Sequence, residues 1–325
     1  MSKHIVAIGG GTGTFTVLSG LKKYPVNLTA IVSMADSGGS TGRLRDELGV
    51  LPPGDVRQCL VALSQSPRLR DLFSYRFSTG TFKGHNFGNI FLAALEKVTG
   101  SFKEAVLESA KILNISGAVI PVTEDKVHLW VELENGQVVK TEDNVDRVVG
   151  FDGNLRISRA YLKPHARITP EAKKAILGAD LIVIGPGDLY TSIVPNLVVL
   201  GLKEAIKQSH AKCVYVCNLM SKFGQTQGFG VIDHLAVIEK YLGKNRVNWV
   251  LYNTQKPSQN ILGAYKKEKG HFIEFDGIGA LRGAQFIGQN LLNTKIVQHV
   301  KSDALKRSLI RHNSEKLAKE IMRIL

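Results

Sequence analysis

Cysteine is scarce: Cys59, Cys213 and Cys217 are the 3 in 325 residues, too few for a disulfide framework. Cys213 and Cys217 flank Val214-Tyr215-Val216 and would share one face of a strand. With no histidine or further cysteine beside them they make a poor zinc set, and burial in a reducing compartment accounts for them better. Long apolar runs are also missing. Nothing approaches the roughly 18 uninterrupted apolar residues of a membrane span, and Ile5-Val6-Ala7-Ile8 is too short for a signal peptide. The expected location is the cytoplasm. Acidic residues are outnumbered, 28 against 42 lysines and arginines, for a net charge of +14. The charge is spread out, and no helix-turn-helix, zinc-finger or RNA-binding signature accompanies it, so nucleic acid is not the expected partner.

What is present describes an ordinary globular protein, 44% hydrophobic and 22% charged, with 32 glycines and 10 prolines. Ile5 to Ile8 reads as a strand buried on both faces, followed by Gly9-Gly10-Gly11-Thr12-Gly13-Thr14 and a helix carrying Phe15, Leu18 and Leu21. A second strand at Leu28 to Val32 completes a βαβ unit, which implies a parallel sheet. Val56, Cys59, Leu60 and Leu63 recur at helical spacing behind Asp55, which stands where an N-cap belongs. Further helices are expected from Asn86 to Leu95 and behind the capping box at Ser101 to Glu104. From about 119 to 164 the pattern turns β-rich, with an Asn135-Gly136 hairpin. The α/β pattern then resumes with a helix at Thr169-Pro170-Glu171 and strands at Leu181–Ile184, Val214–Cys217 and Trp249–Tyr252. Helices are expected at about 197–208, 232–242 and 301–324, the last within a basic segment at about 301–325. The organisation expected is one α/β domain over 1–325 with a β-rich insertion.

Polar residues gather at the strand ends. Gly10, Gly11, Thr12, Gly13 and Thr14 can bring backbone N–H groups and a helix N-terminus to an anion. Their run matches neither G-x-G-x-x-G nor a Walker A, and a tight packing turn is the plainer reading. Beyond the second strand, Asp36, Ser37, Gly38, Gly39, Ser40 and Arg43 lie at the carboxyl edge of the sheet, where open α/β folds bind ligands. Arg43 offers a planar fork for phosphate, and Asp36 a ribose hydroxyl contact or a metal ligand. With Asp55 it could hold Mg²⁺ against a phosphate. His85, Asn86 and Asn89 form a polar cluster suited to a base, sugar or phosphate. Gly185, Gly187, Asp188, Thr191 and Ser192 repeat the strand-then-glycine pattern, and Asn218 and Asn253 end neighbouring strands. No Ser-His-Asp or Cys-His spacing points to a nucleophile, so catalytic residues are not assigned.

Taken in order, five runs carry a resemblance: Gly9 to Gly13, Ala35 to Arg45, Pro53-Gly54-Asp55-Val56-Arg57, Gly84 to Asn89, and Gly185 to Asp188. The chain closely resembles the gluconeogenesis factor family (YvcK type), within the CofD-like or 2-phospho-L-lactate transferase superfamily. The resemblance implies a Rossmann-like three-layer α/β/α fold and a nucleotide-sugar site, with UDP-N-acetylglucosamine the leading ligand. It also implies a role in gluconeogenic growth and cell shape, linking central metabolism to wall synthesis. That linkage admits a cell-wall synthesis protein as partner and a homo-oligomeric state. The transferase branch moves 2-phospho-L-lactate from a guanylyl carrier to a deazaflavin, and its metal-binding aspartates correspond to Asp36 and Asp55. The Ser37–Arg45 run and the His85–Asn89 cluster follow the gluconeogenesis-factor pattern instead. The expectation is therefore a regulatory binding protein, with a Mg²⁺-dependent transferase as the alternative. Gly10 to Thr14 and Ser37 to Arg43 would meet the phosphates, Asn86 and Asn89 the base or sugar, and Asp188 with Ser192 would close the crevice.

Overall fold

A computed structural model describes residues 2–275, 277, 283–293 and 310–325. Its main sheet has seven strands: β1 (His4–Gly9), β2 (Asn27–Val32), β3 (Ala118–Pro121), β7 (Leu181–Ile184), β8 (Lys212–Val216), β9 (Trp249–Asn253) and β10 (Gln285–Gln289). The spatial order is β10-β9-β8-β7-β1-β2-β3, and every neighbouring pair is parallel. Such strands are covered on both faces, so they read as continuous apolar runs. Ile5 and Ile8 in β1, Ile182 to Ile184 in β7 and Val214 to Val216 in β8 are fully buried.

β1 is an interior strand. From β1 the chain winds outward through β2 to β3, then crosses back to β7 on the other side of β1 and winds outward again. Right-handed crossovers running in opposite directions put helices on both faces of the sheet, the doubly wound arrangement expected from the sequence. The order reverses between β1 and β7, whose register aligns Ile8 with Ile184. The carboxyl ends at such a switch point are where open α/β folds bind ligands.

Three helices shape that crevice: α1 (Gly11–Leu21), α2 (Gly39–Leu48) and α3 (Gly54–Leu63). α1 packs on α3 and on the C-terminal helix Ser314–Ile324, where Gly20 meets the Ser314 backbone too closely to admit a Cβ. Of the basic segment expected at 301–325, residues 301–309 lie outside the described part. The helix expected at 197–208 is divided into Val194–Leu197 and Leu202–Gln208, with Gly201 at φ +95 between them.

A second sheet, of three antiparallel strands in the order β5-β4-β6, comprises β4 (His128–Leu133), β5 (Val138–Lys140) and β6 (Ile157–Lys163). Leu129, Val131 and Leu133 are buried and alternate with more open residues, as a one-sided sheet demands. β3, at the start of the expected insertion, belongs to the main sheet instead. It pairs with β2 because Val119 and Pro121 extend that sheet's buried layer. Between β5 and β6 a short helix, Glu142–Asp146, turns back toward the main crevice.

Candidate functional site

The turn after β1 and the turn after β7 meet backbone to backbone. A Cβ on Gly13 would come within 2.5 Å of the Pro186 carbonyl carbon and 3.0 Å of the Gly187 nitrogen. Gly10 precedes α1 as its N-cap, and Gly11 takes φ +60, in the left-handed region that favours glycine. The Thr14 hydroxyl is buried and donates back to the Gly10 carbonyl at 3.5 Å. Thr12 donates to Gln58 Oε1 on α3 at 3.3 Å.

Asp55 lies in the first turn of α3, whose N-cap is Pro53. Its expected capping role is therefore not the one it performs. The side chain crosses to the β1 turn, where a Gly10 Cβ would stand 3.1 Å from its Cγ and where it accepts from the Gly11 N–H. Burial pushes this carboxyl well above the usual carboxylate range, and the charge of Asp36 adds to the shift. Asp36 is also raised by burial, although the Gly38 N–H, the Thr41 hydroxyl and the Arg45 charge oppose it. Its Oδ1 accepts from Gly38 N at 2.9 Å, and Oδ2 lies 2.6 Å from where a Gly54 Cβ would stand.

The run from Gly39 to Leu48 is helical, and α2 begins with Gly39 at φ +48. Ser37 does not open outward. Its Oγ accepts from Asp143 N at 3.0 Å and its N–H donates to Glu142 Oε2 at 3.3 Å, which docks the small sheet's helix onto the loop.

Glu142 and Asp146 were not among the sequence candidates. Burial holds Glu142 well above the usual range, reinforced by the charges of Asp36 and Asp146. Asp146 is raised by burial against the pull of Lys222. Lys222 donates to Asp146 Oδ1 and, at 2.6 Å, to Asp188 Oδ2. Burial works against its charge, yet the two aspartates together hold it above the ordinary lysine range. Five carboxylates (Asp36, Asp55, Glu142, Asp146 and Asp188) thus gather in a chain whose net charge is +14.

Ser40, His85, Asn86 and Asn89 are all buried and joined to one another. The Ser40 hydroxyl accepts from Asn86 N at 3.2 Å and from Asn89 Nδ2 at 3.4 Å, leaving its hydrogen for His85 Nδ1 at 3.3 Å. Asn86 caps the helix Phe87–Thr99, and Asn89 Oδ1 accepts from Arg57 Nε at 2.8 Å. Burial and the Arg43 charge lower the His85 pKa. The Ser40–His85 contact is not an activated nucleophile: the oxygen already accepts two N–H groups, and the pair is shut from solvent. Arg43 is exposed, and its Nη1 donates to the Lys83 carbonyl at 3.5 Å.

After β7, Gly185 takes φ +75, and Ser192 donates its N–H to the Asp188 carbonyl at 2.8 Å. The Thr191 hydroxyl on this turn and the Asn218 amide oxygen beyond β8 are buried without a hydrogen-bond partner. Asn253 is spent locally: its amide donates to the Gln255 carbonyl at 2.7 Å, and its oxygen accepts from Leu291 N at 3.0 Å. The expected residues after β1, β2 and β7 therefore converge, with Asn218 at the next strand and Asn253 tied into its own loop.

Parallel strands in this order, with glycine turns at the point where the order reverses, define a doubly wound α/β protein, a class that binds ligands at the carboxyl ends of its central strands. The family model described as 2-phospho-L-lactate transferase CofD matches residues 5–295. A Thermotoga maritima protein is 45% identical over 322 residues, covering 98% of each chain. The gluconeogenesis factor of Bacillus subtilis is 39% identical over 324 residues, covering 99% of this chain and 98% of its own. The crystal structure of a UPF0052-family protein from Bacillus halodurans superposes with a TM-score of 0.90 at 40% identity, covering 99% of both chains. The chain belongs to the CofD family and, within it, to the gluconeogenesis factors. Among the described residues no helix is long and apolar enough to cross a membrane.

Proposed function

We propose that the chain binds a nucleotide sugar of the UDP-N-acetylglucosamine type and acts through it as a regulatory protein of gluconeogenic growth, cell shape and wall morphogenesis. The observation that carries this reading is the meeting of the β1 and β7 glycine turns at the switch point, beside the α1 N-terminus. Backbone N–H groups and a helix dipole there favour a pyrophosphate. The unpartnered Thr191 hydroxyl and Asn218 oxygen add polar groups whose burial costs about 1–3 kcal/mol each until a partner is found. The gluconeogenic role rests on the names of the Bacillus subtilis and Halalkalibacterium halodurans relatives.

A second reading, a Mg²⁺-dependent transferase acting on a nucleotide diphospho-substrate, draws on the carboxylates. Burial is the first cause of the raised Asp55 and Glu142 pKa values and mutual repulsion of the carboxylates the second; a divalent cation would relieve that repulsion and bridge to a pyrophosphate that the carboxylates otherwise repel. Hard oxygen donors on Asp36 and Asp55 fit Mg²⁺. Among the described residues no group of three or more His, Cys, Asp or Glu is arranged to hold a metal, so ligand oxygens would complete the shell.

Calorimetric titration with UDP-N-acetylglucosamine, with and without Mg²⁺, alongside GDP and NAD, tests both. Saturable binding with the sugar nucleotide recovered intact supports the regulatory protein. Silence with it, but Mg²⁺-dependent binding of GDP, transfers the weight to the transferase. Asp36→Asn and Asp55→Asn variants that keep binding and in-cell function would sink the metal's part.

A further inference from the structure

Only two aromatic side chains are among the large apolar residues exposed on the described surface, and both belong to one hairpin. Phe82 is 54% and Tyr75 48% exposed. Arg76 bridges Asn86 across this hairpin, the Phe77 N–H donates to the His85 carbonyl at 2.9 Å, and the Gly84 N–H to the Phe77 carbonyl at 2.8 Å. Arg76 Nη1 also donates to the Gly84 carbonyl at 2.8 Å. The aromatic side chains form a row, with ring centroids 5.1 Å apart for Tyr75–Phe77 and 5.4 Å for Phe77–Phe82. An exposed row of rings costs hydration free energy, and its backbone is pinned.

The hairpin is fastened to the crevice. Ser40, in the first turn of α2, holds His85 and Asn86, while Asp36 at the mouth of the same helix receives the Gly38 N–H. Arg43, one turn further along α2, reaches the carbonyl of Lys83, the neighbour of Phe82, and lies 2.9 Å from where a Gly84 Cβ would stand. No ion pair with Arg43 is found among the described residues. An open guanidinium and an open row of rings therefore stand together beside a glycine-rich helix N-terminus.

We infer that this hairpin is the nucleobase subsite: Phe82, with Tyr75, stacks on the base of a bound nucleoside diphosphate, and Arg43 meets its phosphates. The inference rests on the nucleotide-binding reading above and names the residues that read the base end of the ligand. Stacking is tolerant of base identity because every base has a π-face. Specificity for one base must then come from edge contacts, and the rings supply affinity.

The test is titration of UDP, and of inorganic pyrophosphate with Mg²⁺, into the wild type and the Phe82→Ala, Phe82→Trp and Tyr75→Ala/Phe82→Ala variants. Both positions are exposed, and thermal melts verify that the variants fold. The expected result is a fall in UDP affinity of about 5- to 150-fold in Phe82→Ala, larger in the double variant. Phe82→Trp retains UDP affinity, and pyrophosphate affinity is unchanged throughout. Wild-type-like UDP affinity in the double variant overturns the subsite and leaves nucleotide binding standing. Equal losses for UDP and pyrophosphate overturn it as well, since the hairpin would then be shaping the phosphate end. A wild type that binds no nucleotide removes the underlying reading and this inference together.

Discussion

Gly13 is the most informative single position in the crevice. It lies inside α1, where alanine ordinarily gains about 1 kcal/mol over glycine. Here the added Cβ would stand 2.5 Å from the Pro186 carbonyl carbon, against ordinary contact of 3.4 to 4 Å. The obstruction is backbone, not the end of a flexible side chain, and the Pro186 carbonyl oxygen lies closer still, so the turn after β7 must retreat by more than about 1 Å. Overpacking of this kind costs about 1–3 kcal/mol. Net of the helical gain, Gly13→Ala should lose up to about 2 kcal/mol of stability, and nucleotide affinity should fall because the two glycine turns separate. Gly263, in the helix Gln259–Lys267, is the control: no atom lies within 4 Å of its Cβ position, so Gly263→Ala should gain about 1 kcal/mol. Urea unfolding reads both as shifts of midpoint at constant slope. A Gly13→Ala protein that gains stability as Gly263→Ala does would refute the backbone contact on which the crevice geometry rests.

Two pH predictions have opposite signs. The Asp55 carboxyl is held above its unfolded value, so the native state binds the proton longer and stability falls as pH rises from about 4 through the folded pKa. Asp55→Asn should be more stable than the wild type at pH 8, and the difference should close as pH approaches 4; a gap that widens on acidification contradicts the assignment. His312 is buried and donates to the Cys217 carbonyl at 3.1 Å, and burial lowers its pKa to about 4. Its stabilising contribution is complete above about pH 6.5 and is lost as pH falls toward 4, about 3 kcal/mol in all. In His312→Gln, denaturant unfolding across that window should lose less stability than in the wild type.

The central strands were legible because burial on both faces leaves a continuous apolar run, as in Ile5 to Ile8 and Leu181 to Ile184. β10 was not, since Gln285 and Gln289 at its ends and Gly288 inside it give no such run at the sheet's edge. α2 hid behind three glycines and three hydroxyl residues, which favour turns in isolation. Its start is secured by the Asp36 carboxylate on the Gly38 N–H, and its end by Gly49 at φ +63. Asp55 reads as an N-cap but lies within the first turn, and its local sequence does not reveal that a Gly10 without a side chain leaves room for its carboxylate. Glu142, Asp146 and Lys222 carry no local signal. Glu142 and Asp146 reach Ser37 and Lys222 because the small sheet folds back onto the main one, and Lys222 meets Asp188 because β7 and β8 are adjacent, relations between segments far apart in the chain. The exposed aromatic hairpin was visible as a polar cluster at its His85 end, while nothing in the sequence around Tyr75 and Phe82 marks their exposure.

β1 lies inside the sheet and is synthesised before both of its partners, of which β7 begins only at Leu181. Until synthesis has passed that point, β1 has an open edge and an apolar flank, and the crevice has only one of its walls. Nascent chains of intermediate length therefore carry an aggregation-prone edge that the finished protein does not have. Chaperone contact should peak before Leu181 to Ile184 emerge and fall away once they pair. Circular permutants that begin near β7 would shorten that window without changing a residue of the finished crevice.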